Sequence, residues 1–187
     1  MLNPCIFKAY DIRGNVPDEL DADGAYSIGR AYTQFLKANS KEQMANGPLR
    51  VVVQADARPT SPALKESLIK GLLTGGVQVI DGGLATSPMH YFSINHLQAD
   101  GGIMVTASHI PPPYNGFKVS LKGAINIGTG AGMEELRDIA VSLQPTLTNP
   151  APLEIESKNL EEDYIQLLLS KIDLLKIKSL KVLVDAG

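Results

Sequence analysis

The densest group of chemically capable residues in this 187-residue sequence runs Thr106-Ala107-Ser108-His109-Ile110-Pro111-Pro112-Pro113-Tyr114-Asn115-Gly116-Phe117-Lys118. A hydroxyl, an imidazole and an ammonium stand together on a stretch stiffened by three consecutive prolines, each of which fixes φ and removes a backbone donor. Ser108 is presented just past an apolar run that ends at Val105, where backbone N–H groups are expected to be free. Such a loop suits the handling of a phosphoryl group, which needs positioning and neutralised oxygen charge more than covalent chemistry. An ordinary surface loop that happens to carry Ser and His fits the same composition. Asn115-Gly116 is predicted to make a tight turn into a returning strand that carries Lys118.

Two other segments could contribute charge. Phe7-Lys8-Ala9-Tyr10-Asp11-Ile12-Arg13-Gly14 sets an aromatic, a carboxylate and a guanidinium before a glycine. Arg13 could clamp a phosphate with its planar fork, or simply pair with Asp11 at the surface. Asp56-Ala57-Arg58-Pro59-Thr60-Ser61 follows an apolar run, and Thr60 or Ser61 is expected to cap the next helix. Other chemistries find less support. Gly128-Thr129-Gly130-Ala131-Gly132 is not a P-loop, because no Gly-Lys-Ser/Thr follows, and it reads as a plain loop. No G-x-S-x-G surrounds Ser108, so a hydrolase elbow is absent. His90 and His96 stand six apart, which does not match a helical zinc pair, and both read as structural.

The elements that must position these residues follow from periodicity. Ala25, Ile28, Tyr32, Phe35 and Leu36 predict a helix over 22–38, capped by Asp21 or Asp23. Met44 to Pro48 reads as a loop. Leu49–Gln54 is a short β-branched run, a buried strand. Ser61-Pro62 opens a helix with its face on Leu64, Leu68, Ile69, Leu72 and Leu73, stopped by Gly75-Gly76. A strand over Val77–Ile80, a helix over Ser87–His96, strands over Gly101–Val105 and Phe117–Leu121, and a helix over Met133–Leu143 complete the series. Glu134 and Glu135 suit the positive end of that last helix. Alternating strands and helices imply an α/β fold with a largely parallel sheet, its chemistry on loops leaving the strand carboxyl ends.

After residue 143 the composition shifts. Gln144 to Leu153 holds three prolines with several Thr and Asn residues. The organisation expected is a domain over 1–145, a linker over 146–157, and over 158–187 a helix plus the opening strand, Leu180–Val184, of a second, truncated unit. Seventeen Lys and Arg against 20 Asp and Glu give a net charge of −3, and no basic tract argues for nucleic acid. No apolar run approaches the roughly 18 residues of a membrane span. The N-terminus lacks signal-peptide regions, and the single cysteine, Cys5, points to a cytoplasmic home.

Taken together, the three segments resemble the first domain of the α-D-phosphohexomutases, most closely the bacterial phosphomannomutase/phosphoglucomutase group. That family opens with A-Y-D-I-R-G, here Ala9 to Gly14. Its G-R-D-x-R-x-S loop corresponds to Gln54 through Ser61, in weakened form. Its T-A/G-S-H-N-P…Y-N-G-x-K corresponds to Thr106 through Lys118, with Ile110 in place of the usual Asn. Order and spacing agree from residue 5 to about 140, and Lys181 to Gly187 is similar to the first strand of the family's second domain.

The resemblance implies a three-layer α/β/α domain with a mixed, largely parallel sheet. It also implies an isomerase that interconverts hexose 1- and 6-phosphates of mannose or glucose through a phosphoserine and a sugar bisphosphate. Ser108 would carry the phosphoryl group and give one oxygen to Mg²⁺. His109 and Lys118 would assist proton transfer and stabilise charge, while Tyr10 and Arg13 would line the transfer site. The D-G-D-x-D, G-E-x-S-G-H and R-x-S-N-T-E-P loops of the other family domains are absent from these 187 residues. The chain alone is therefore expected to need those C-terminal domains for turnover. The alternatives are a non-catalytic module that binds phosphosugars or proteins, and a phosphoglucosamine mutase, whose loop usually reads D-N-G-x-K where Tyr114 to Lys118 stand here.

Overall fold

The computed structural model describes residues 2–40, 47–143, 155–173 and 176–185. In chain order the elements are β1 (Ile12–Asn15), α1 (Ala22–Asn39), β2 (Arg50–Ala55), α2 (Ser61–Thr74), β3 (Gln78–Leu84), α3 (Ser87–His96), β4 (Gly101–Val105), β5 (Tyr114–Leu121), β6 (Ile125–Asn126), α4 (Met133–Ser142), β7 (Ile155–Ser157) and α5 (Glu161–Ser170). The sheet order is β1-β5-β4-β2-β3-β7, with β6 on β5. β4, β2, β3 and β7 run parallel, whereas β5 is antiparallel to both β4 and β1. The mixed, largely parallel sheet is thus as expected, and its antiparallel corner holds the serine loop.

Alternation along β2 explains the layering, since successive side chains point to opposite faces. Val51 and Val53 join Val79, Ile103, Val105, Phe117 and Val119 in a core covered by α1, α2 and α4. Val52 points the other way and packs with Ile80, Ile94 and Ala99 beneath α3. Two apolar cores on opposite faces make the domain α/β/α. The caps follow local chemistry. Asp21 accepts the Gly24 N–H at 2.8 Å to start α1, and Thr86 accepts that of Met89 to start α3. At the head of α4, Glu134 takes the Gly130 N–H.

Several local expectations change. Asn115-Gly116 makes no turn: β5 begins at Tyr114, and Asn115 and Gly116 pair with Gly14 and Arg13 of β1. A Cβ at Gly116 would collide with the Ile12 carbonyl, so the glycine serves the close approach of β1. Neither Thr60 nor Ser61 caps α2 by a side-chain bond; both hydroxyls are drawn into the loop network described below. Leu180–Val184 forms no strand and is exposed, because no neighbour offers it a ladder. Ile155–Ser157, within the segment expected to link domains, instead joins the sheet beside β3. Most of that linker, residues 146–154, and most of the loop at Met44–Pro48 lie outside the described residues.

Candidate active site

The site is built where β4 hands over to β5. Val105 pairs with Phe117, and the Thr106 N–H continues the ladder to the Gly116 carbonyl at 2.9 Å. The chain then leaves the sheet. Ser108 adopts a left-handed backbone, φ 55°, uncommon for a residue with a side chain. Its N–H is not free as anticipated, since it donates to Thr106 Oγ1 at 2.9 Å. Ser108 and His109 are both exposed, and neither side chain has a hydrogen bond among the described residues.

Register brings the cations to this corner. Arg13 on β1 is opposite Gly116, and Lys118 on β5 is opposite Met104. Both therefore project from the same face of the sheet, since paired residues share a face and alternate residues return to it. Lys118 is half-buried and has neither a hydrogen bond nor an ion pair among the described residues. Arg13 does make the pair with Asp11 that its neighbourhood allowed, but loosely, at 3.7 Å. Tyr10 stands further out along the β1 edge, 78% exposed, with its ring against Gly128.

The segment from 108 to 114 is tied down by a residue to which the sequence assigned no role. Arg58, on the loop after β2, donates to the carbonyls of Ser108 at 3.0 Å, Ile110 at 2.6 Å and Tyr114 at 3.1 Å. Its Nε donates to Asp56 at 3.1 Å. Asp56 also accepts from the Ser61 hydroxyl at 2.6 Å. Asn115, buried within β5, donates to both Thr60 and Ser61 at 2.9 Å. The local sequence marked this segment as a source of charge but not its partners, which lie some fifty residues away. A crevice of about 780 Å³ opens beside it at the carboxyl ends of the parallel strands, lined among others by Asp56, Gly82, Thr86, Thr106, Ser108 and Lys158.

The two other histidines are structural, as read. His96 stacks on Phe92 and pairs with Asp163 at 3.6 Å. His90 is buried, with Nδ1 on Gln54 Oε1 at 2.9 Å, and burial pushes its pKa down to about 3. For Mg²⁺ the donor set is thin. Among the described residues no three His, Cys, Asp or Glu side chains converge, and Asp56 and Asp11 are already held by Arg58 and Arg13. Mg²⁺ asks for near-octahedral oxygen coordination, which these residues alone do not complete.

The family model described as "Phosphoglucomutase/phosphomannomutase, alpha/beta/alpha domain I" matches residues 4–143, the whole of this corner and both cores. The chain belongs to that family. It is 39% identical to a phosphomannomutase of Salmonella montevideo across its entire length. Over 97% of its length it is 42% identical to a protein of Xanthomonas campestris pv. campestris named for phosphohexose mutases. A crystal structure of a phosphoglucomutase/phosphomannomutase family protein from Burkholderia thailandensis superposes over 94% of the chain with a TM-score of 0.76 and 35% identity. The chain spans 38–39% of the length of these relatives. No helix among the described residues is long and apolar enough to cross a membrane.

Proposed function

We propose that this chain is the serine-bearing part of a phosphohexomutase acting on mannose or glucose phosphates, with Ser108 as the phosphoryl carrier. The observation that carries the reading is an exposed serine, held at a left-handed backbone position, at the same sheet corner as a half-buried lysine that has no partner among the described residues. In the first half-reaction the bond from phosphorus to Ser108 Oγ breaks as one forms to a hydroxyl oxygen of the hexose monophosphate. The hydroxyl proton ends on Oγ. The bisphosphate then turns over, its other phosphoryl group passes to Oγ, and the Oγ proton goes to the sugar oxygen left behind.

A phosphoserine brings about −1.5 to −2 charges, which the ammonium of Lys118 and the fork of Arg13 are suited to offset. His109, exposed beside Ser108, is suited to carry a proton, and Tyr10 to line the outer rim. When bound, Mg²⁺ would add further charge neutralisation, with the Ser108 phosphate as one ligand and the remaining ligands from outside this chain. A cytoplasmic location agrees with one exposed, unpaired thiol, Cys5.

The test is a chimera in which this chain replaces the matched segment of the Salmonella relative, assayed with mannose 1-phosphate and glucose 1-phosphate. Turnover is expected, with a phosphoserine at residue 108 by mass spectrometry. Ser108→Ala should abolish both while the circular dichroism spectrum stays unchanged. Lys118→Met should slow turnover by about 10²-fold, the usual cost of removing one charge-stabilising group. Wild-type turnover in Ser108→Ala would sink the phosphoserine mechanism.

A further inference from the structure

Arg58 directs four N–H bonds inward, one to Asp56 and three to carbonyls of the 108–114 segment, out of the five donors a guanidinium has. Its side chain is only 16% exposed; the bonds to Asp56 and Ile110 are partly buried, and those to Ser108 and Tyr114 lie at the surface. We propose that Arg58 is a positioning residue for Ser108: it clamps the serine loop and holds Ser108 in the left-handed conformation that presents its hydroxyl. The functional meaning rests on Ser108 as phosphoryl carrier.

A non-glycine residue stays at positive φ only where its surroundings over-determine it. Ser108 is gripped on both sides, its N–H by Thr106 Oγ1 and its carbonyl by Arg58. The clamp is itself oriented. The Asp56 carboxylate receives the Arg58 backbone N–H, the Arg58 Nε–H and the Ser61 hydroxyl, and the Asp56 N–H is fixed to the Val105 carbonyl at 3.0 Å. Asn115 then ties Thr60 and Ser61 to β5, the strand that carries Lys118. One continuous network thus sets the serine loop and the lysine strand in a common frame. A lysine at position 58 would place one ammonium among three carbonyls without the planar fork that spans them.

Amide exchange and backbone couplings, measured by NMR on the 187-residue chain, test the clamp. In Arg58→Met the Ile110 amide should exchange about tenfold faster or more, the loss expected when charged hydrogen bonds are removed. The Ser108 coupling should move from its left-handed value toward the average of a flexible chain, while the amides of Val53 and Ile103 keep their protection. Arg58→Lys retains the charge beside Asp56 and serves if Arg58→Met does not fold; it should loosen the loop to an intermediate degree. An Arg58→Ala chain given methylguanidinium should regain protection at Ile110. Wild-type coupling and protection in both Arg58→Met and Arg58→Lys would overturn the proposal. So would an equal loss of protection across loop and sheet, which marks general destabilisation. Phosphate uptake at Ser108 from glucose 1,6-bisphosphate, followed by intact mass in the chimera, is a separate reading. Its absence from the wild-type chimera overturns the carrier role, while the exchange data still decide the clamp.

Discussion

Lys118 keeps a half-buried ammonium without a partner among the described residues, whereas Lys65 and Lys158 close on Asp81 and Glu156. A partly desolvated charge with nothing to offset it is unfavourable, and its retention makes sense where an anion arrives from outside. His90 presents the opposite case, a titratable group that burial keeps neutral. Its Nδ1–H donates to Gln54 while Nε2 has no partner among the described residues. Above pH 6.5 both folded and unfolded chains carry it uncharged. Below that, the unfolded state binds a proton that the folded state refuses down to about pH 3, so stability falls as pH drops through that window. Between pH 7 and 5 this group should cost about 2 kcal/mol. Urea unfolding at the two pH values checks it: His90→Phe should start less stable, because Gln54 loses its donor, yet lose about 2 kcal/mol less over the interval. An identical decline in the variant and the wild type would assign the pH effect elsewhere.

At the scale of elements, α1 and α2 form the larger outer layer and meet through two glycines. A Cβ at Gly29 would run into the Leu68 carbonyl, and one at Gly71 into the Tyr26 carbonyl. Backbone cannot yield as a side-chain tip can, so the helices would have to separate and loosen Ile28, Tyr32, Leu68 and Leu72 over the sheet. Gly29→Ala and Gly71→Ala should each destabilise by about 1–3 kcal/mol or more, even though alanine raises helix propensity by up to about 1 kcal/mol. Chemical denaturation of the two variants decides which effect wins; a gain in stability would mean that the helices can shift apart freely. Apart from Ser61 at the head of α2, which joins the loop network, these two helices carry no site residue. Their task is to press β2, β4 and β5 into the register that brings Arg13, Ser108 and Lys118 to one corner.

For the molecule as a whole, one end is apolar and uncovered. Ile165, Leu168 and Ile172 are exposed on and just after α5, and Ile177, Leu180, Val182, Leu183 and Val184 continue the exposure, Leu183 reaching 95%. Exposed apolar side chains in this number favour association. Light scattering of the 187-residue chain should show concentration-dependent self-association. Removing residues 174–187 should reduce it while leaving the thermal midpoint within a few degrees, since the described part of that segment buries nothing. A monomer at high concentration, or a large drop in midpoint on removal, would show that this segment packs against the domain.

The sequence by itself determined which stretches become helix and which become strand from α1 to α4, apart from β6, because period, caps and stop signals act over a few neighbouring residues; β1, which carries Arg13, and β6 had no such signal. It also carried the three motifs that identify the family, which depend only on residue order and spacing. Tertiary structure decided what depends on partners far along the chain. Asn115-Gly116 looked like a turn and became ladder because β1 lies alongside. Leu180–Val184 has strand propensity and no ladder, because propensity supplies no hydrogen-bond partner. Ile155–Ser157 became an edge strand because β3 had a free side. Arg58 stood in one of those motifs, yet nothing local named its partners, the serine-loop carbonyls some fifty residues away, and Lys118 was left unpaired among the described residues. Both outcomes follow from the crossing of chain segments and the register between them, which no local pattern records.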